Sequence, residues 1–146
     1  MRRTKLEKGI LFLDEDNACL SLMAESMAKH MSPPKIRIFS AGVRPGRIPP
    51  EVRRVLQEIG VEQSASTTKS VDQIPTNEID LVISFGDAHE QCRSLPSKAK
   101  VEKWPIPNPM RAPGESPAAL SAYRSGRDEI DKRVAALFLD HWRHSA

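Results

Sequence analysis

The chain is expected to fold as an α/β protein around an open, four-stranded parallel sheet. Three observations lead there. Strand-like and helix-like segments alternate along the 146 residues. Two strand-like runs, residues 10–13 and 79–84, are almost continuously apolar, the pattern of strands buried on both faces. The first run stops at three carboxylates and opens into a helix pattern, at the point where open α/β sheets place their ligand sites.

Residues 8–14 read as the first, central strand. Asn17 is a good helix N-cap, and from there Leu20, Met23, Ala24, Met27 and Met31 recur at helical spacing. The methionines Met23, Met27 and Met31 read as core rather than as a binding face. Pro33-Pro34 stops that helix. Residues 35–41 alternate, with Ile36, Ile38 and Ser40 on one face, and form the second strand. A turn-rich loop covers 42–46. The next helix runs from 50 to 59, with Pro49-Pro50 at its start and Gly60 just beyond its end.

Residues 79–84 form the third strand, 88–93 a short helix and 101–104 a brief fourth strand. Four prolines make 105–116 a stiff surface loop. Ser116-Pro117 then starts a long last helix with a face of Leu120, Tyr123, Ile130, Val134, Leu137, Phe138 and His141. The whole of 1–146 is expected to be a single domain, its core spanning about 8–140.

Composition narrows the function classes. Net charge is +3, with 39% hydrophobic and 28% charged residues, as in an ordinary globular chain. Lysine and arginine are scattered and aromatics are few, which argues against dedicated nucleic-acid binding. No apolar run approaches the ~18 residues of a membrane span. The basic residues 1–8 lead into no signal-type apolar region, so the expected location is the cytoplasm. Cys19 and Cys92, the two cysteines, are expected as free thiols there, and no Cys/His spacing suggests zinc. No cofactor is expected. His30, His89, His141 and His144 form no readable constellation.

The motifs then resemble one family. Residues 14–25 read Asp-Glu-Asp-Asn-Ala-Cys-Leu-Ser-Leu-Met-Ala-Glu. This is similar to the first loop of low-molecular-weight protein tyrosine phosphatases and of the thioredoxin-coupled arsenate reductases that share their fold, C-T-G-N-S-C-R-S-P-M-A-E. Asn17, Cys19, Ser21 and Met23-Ala24-Glu25 match in register. Ser40-Ala41-Gly42, Ser64, Lys69-Ser70-Val71-Asp72, Asp80-Leu81-Val82-Ile83, Trp104, Pro107-Asn108-Pro109 and Arg127-Asp128-Glu129-Ile130 follow in the family's order.

The resemblance implies a three-layer α/β/α fold with helices on both faces of the sheet and the strand order 2-1-3-4, and it also marks what is missing. It puts Asp14 at the position of the nucleophilic cysteine, Leu20 at that of the phosphate-binding arginine and Asn108 at that of the general acid. Asp16 replaces the loop glycine. The chemistry implied by the resemblance needs a low-pKa thiolate in a cradle of N–H groups, a guanidinium on the phosphoryl oxygens and a carboxylic acid for the leaving group. A carboxylate ~4 Å from a bound dianion repels it by several kcal/mol at an effective dielectric of ~20. Phosphate binding is therefore not expected here.

Several readings of the loop Glu15, Asp16, Asn17, Ala18, Cys19 and Ser21 stay open at this point. Asp14 could take the anion's place itself, accepting loop N–H bonds while Leu20 fills the space of the guanidinium. Asp14 and Asp16 could instead hold a divalent cation, although no metal is expected. They could also serve a haloacid-dehalogenase-like phosphohydrolase, an Asp nucleophile with Mg²⁺, to which Ser84 after the third strand and Gly86-Asp87 add a superficial fit. Cys19 reads as a small buried residue. Cys92 falls at the resolving-cysteine position of the arsenate reductases, but the segment before it lacks their other redox cysteine. Arg44 and Arg47 lie at the expected mouth of the site and could pair with its acids. The expected function is that of a pseudoenzyme binding an unknown protein partner, with a divalent-cation-dependent phosphohydrolase using Asp14 and Asp16, or a phosphatase with an unorthodox nucleophile, as the alternatives. A homo-oligomer is compatible with the sequence.

Overall fold

The computed structural model describes residues 9–111 and 117–145, with the side chains of 111, 117, 118 and 140–145 outside the description. The elements follow in the order β1 (Gly9–Asp14), α1 (Leu20–Met31), β2 (Arg37–Gly42), α2 (Pro50–Gln57), β3 (Leu81–Phe85), β4 (Lys100–Trp104) and α3 (Pro117–Ser145). All strand pairings are parallel, in the order β2-β1-β3-β4. This is the α/β sheet read from the sequence.

Pleat alternation divides β1 between two cores. Ile10 and Phe12 face a core built with α1, α2 and α3, where Leu22, Met23, Met27, Leu56, Ile130 and Val134 meet. Leu11 and Leu13 face the other side, with Val71, Ile74, Ile79 and Val82. The three α-helices therefore cover one face. Single 3-10 turns at Val71–Gln73, Thr76–Glu78 and Ala88–Gln91 supply the layer on the second face. The segment expected as a helix over 88–93 is the last of these turns. The cover between 71 and 79 is too short, and broken by Pro75, for an α-helix.

Trp104, 1% exposed at the end of β4, joins the strand ends to α3. Its ring lies 5.9 Å from the rings of Phe12 and Phe85, and the Arg133 guanidinium sits 5.8 Å from its centroid. Residues after it do not form a purely superficial loop, as expected for 105–116. Ile106 and Pro109 are buried and Pro109–Arg111 makes a 3-10 turn. Apolar contact with α3 outweighs the surface tendency of prolines. Residues 112–116, including the expected cap Ser116, and the side chain of His141 lie outside the described residues.

Candidate functional site

The site lies where β1 ends. Asp14 is the last residue of that strand, opposite Gly42 at the end of β2, and residues 15–19 form the loop into α1. Gly42 lets the loop lie directly on β2. A Cβ there would fall 2.5 Å from the Asn17 nitrogen and 2.6 Å from the Asp16 carbonyl carbon. The loop carbonyls are stapled to the chain beyond β2: Val43, Arg44 and Gly46 donate N–H bonds to the carbonyls of Asp14, Glu15 and Asp16 at 3.1, 2.7 and 2.9 Å.

Asn17 does not cap α1, as its sequence position suggested; the N-cap residue is Cys19, with no side-chain cap bond. Asn17 has φ 56°, in the left-handed region that asparagine tolerates better than most residues. Its amide nitrogen donates to the Ser21 and Ser40 hydroxyl oxygens at 2.9 Å each, and its carbonyl oxygen accepts the Lys69 N–H at 2.8 Å. Three satisfied bonds in a fully buried position outweigh the single bond a cap would give.

The Asp14 carboxylate occupies the hollow of this loop. Oδ1 accepts the Asn17 N–H at 2.6 Å and Oδ2 the Ser21 N–H at 2.9 Å. The residue is 6% exposed. Burial is the main influence on its acidity and, with the Asp16 charge, outweighs the hydrogen bonds, so its pKa is pushed up to about 6. Asp16 Oδ1 turns back onto the Ala18 N–H at 3.2 Å. Leu20 is buried against α3: a Cβ on Gly126 would lie 3.5 Å from its Cδ2 and 3.4 Å from Pro109 Cγ. Asn108 spends its amide oxygen on the Met110 N–H at 3.0 Å.

Asp14, Glu15, Leu20 and Asn108 share one cleft of about 450 Å³ with Phe85, Gly86, Asp87, Ala88, Gln91, Ile106 and Pro107. Asp87 entered the sequence reading only through the haloacid-dehalogenase-like alternative, and Gln91 was not picked out. Their signal is position: Asp87 follows the C-terminal end of β3, beside the loop from β1, the usual place for site residues in such sheets. Arg44 bonds Glu15 at 2.6 Å from the rim, and Lys103 bonds Asp87 at 2.5 Å. Arg47 is exposed and has no ion pair with a described residue.

Neither thiol is activated. Burial and the charges of Asp14 and Asp16 hold Cys19 protonated well above the ordinary thiol range, and Cys92 is raised by burial together with Asp72 and Glu15. Among the described residues, no three His, Cys, Asp or Glu side chains are grouped to hold a metal ion, and no helix is long and apolar enough to cross a membrane.

A family model described as low molecular weight phosphotyrosine protein phosphatase matches residues 9–144. The arsenate reductase of Bacillus subtilis (strain 168) is 33% identical over 128 residues, which are 87% of this chain and 92% of that protein. The arsenate reductase of Halalkalibacterium halodurans is 32% identical over 129 residues, 88% of this chain and 93% of that protein. Among solved structures, an arsenate reductase in the phosphate binding state is similar with a TM-score of 0.73 at 28% identity, over 91% of this chain and 98% of that one.

Proposed function

The chain belongs to the low molecular weight phosphotyrosine protein phosphatase family, and from that premise we propose that it is a catalytically degenerate member, a pseudoenzyme that acts by binding a protein partner. One observation carries the reading. The Asp14 carboxylate stands in the hollow of the loop with both oxygens on N–H donors, where the family's thiolate and bound anion would meet. A phosphate or arsenate would have to displace a tethered carboxylate and then sit beside Glu15 and Asp16.

The supporting roles are absent in the same place. Leu20 offers an apolar side chain where an arginine would neutralise the transferred group. Asn108 has no proton to give near neutral pH, and its oxygen is already bonded to the Met110 N–H. Cys19 is buried and protonated, so it cannot stand in as nucleophile.

A cation-dependent phosphohydrolase using Asp14 and Asp16 has less support. Both Asp14 oxygens, and one from Asp16, are turned to backbone N–H groups rather than presented to an ion. Turnover of an aryl phosphate, with and without Mg²⁺, and arsenate-dependent oxidation of reduced thioredoxin test the proposal. No turnover above the uncatalysed rate is expected in either assay. Turnover abolished by Asp14→Asn would overturn it.

A further inference from the structure

We infer that the open edge of β4 pairs with the same edge of a second copy of this chain. The pairing is antiparallel and centred on Val101, so that the two sheets run on as one. The inference goes beyond the pseudoenzyme reading and does not depend on it, because no residue of β4 lines the cleft at Asp14.

The sheet ends differently on its two sides. Beyond β2 the chain returns at Ser70, which bridges Gly42, and Gly42 donates its N–H to the Lys69 carbonyl. Beyond β4 no strand follows among the described residues. Residues 100–103 are exposed, and Val101 keeps 46% of its surface in solvent. Backbone groups point alternately to the two sides of a strand. Lys100 turns its N–H inward, to the Asp80 carbonyl at 3.0 Å. Val101 and Lys103 therefore turn theirs outward. A row of outward donors and acceptors is a template for another strand.

Charge chooses the occupant. In an antiparallel pair, opposed residues both turn their backbone groups to the partner strand or both turn them away. Two copies of β4 can therefore meet only in registers centred on one residue. Centring on Lys100 or Lys103 sets lysine against lysine, and centring on Glu102 sets glutamate against glutamate. The register centred on Val101 sets Lys100 of each copy opposite Glu102 of the other. There the two valines exchange N–H and carbonyl bonds across the two-fold axis, and their side chains meet. Lys100 and Glu102 fall in the narrow type of pair, which brings side chains closest. Both lie on the face of Trp104, whose Nε1–H donates to Glu102 Oε2 at 2.7 Å and leaves Oε1 for the lysine. Lysines commonly guard an edge against pairing. Here Lys103 is held to Asp87 of its own chain at 2.5 Å. Lys100 has no ion pair with a described residue and finds an acid opposite.

The test is sedimentation equilibrium of the whole chain from about 10 μM to about 1 mM, the range in which small interfaces associate. The mean mass is expected to rise with concentration from 16.3 kDa toward twice that value. Val101→Pro removes the N–H at the two-fold axis and no bond to β3, and is expected to stay monomeric. Lys100→Glu and Glu102→Lys each set like charges opposite one another, and each alone is expected to associate roughly tenfold more weakly. An equimolar mixture of those two chains restores unlike pairs and is expected to recover the wild-type association. Recovery in the mixture supports the inference, because contact through another surface would not respond to it. A wild-type chain at 16.3 kDa throughout overturns the inference and leaves the edge to a strand of another protein or to none. Association unchanged in Val101→Pro or in Lys100→Glu overturns it by moving the contact to another surface. A mixture no stronger than its components overturns the register centred on Val101. If Val101→Pro or Glu102→Lys does not fold, as read by circular dichroism, Lys100→Glu alone is held to the same criterion.

Discussion

Asn17 accepts the Lys69 N–H at 2.8 Å across 52 residues of chain. With its bonds to Ser21 and Ser40, this ties the loop after β1 to both neighbouring segments. Loop shape is thus fixed by a buried amide.

Asn17→Ala removes all three bonds and places a residue with a Cβ, but no compensating side chain, at φ 56°. We expect a loss of about 3 kcal/mol, read by urea denaturation. Asn17→Gly tolerates the backbone angle and is expected to lose less. Equal losses in the two variants would remove the backbone contribution from this account.

Gly42→Ala is expected to be more damaging than its small size suggests. The added carbon meets backbone atoms of Asp16 and Asn17, which are held by the staples to residues 43–46 and cannot give way cheaply. A destabilisation of roughly 3 kcal/mol is expected in the same measurement. A neutral result would mean that the loop does not rest on β2.

Asp14 makes stability depend on pH in an unusual direction. Its pKa rises from 3.8 to about 6 on folding, so between those values the folded chain holds a proton that the unfolded chain releases. This contribution is greatest below pH 4, falls as pH rises to 6 and is flat above, by at most about 3 kcal/mol. Glu58 acts oppositely and in a lower window, because hydrogen bonding by Arg124 takes its pKa down to about 2. The comparison of wild type with Asp14→Asn isolates the Asp14 contribution. The difference in stability between the two proteins is expected to change across pH 4–6, and a constant difference would contradict the buried carboxylate.

Thiol labelling should separate the two cysteines. Cys92 is partly exposed and Cys19 is 1% exposed, so a maleimide is expected to modify Cys92 slowly and Cys19 only on unfolding. Rapid labelling of Cys19 in the folded protein would indicate an activated thiol in the loop.

Much of the fold was legible. Near-continuous apolar runs at 10–13 and 79–84 marked the buried strands and their alternation with helix patterns marked a parallel sheet, whose order followed from the family resemblance. The second face was less so, because short segments around Val71, Ile74 and Ala88 carry no helical period. In the site, the resemblance to the family's motifs singled out Asp14, Leu20 and Asn108, which line one cleft. The role of Asn17 was misread because asparagine suits both an N-cap and a left-handed backbone. The choice is made by Ser40 and Lys69, which are distant in sequence. Gln91 was not picked out, and Asp87 only for another fold's motif, because they join the site through the neighbouring of β3 and β1.

The most direct test of the account is steady-state turnover of an aryl phosphate by the wild-type chain, beside the variant Asp14→Cys/Leu20→Arg/Asn108→Asp. The account predicts no turnover by the wild type, and phosphate binding by the triple variant, because the loop backbone is held by Asn17 and Gly42 rather than by Asp14 alone. Wild-type turnover that disappears in Asp14→Asn would contradict it.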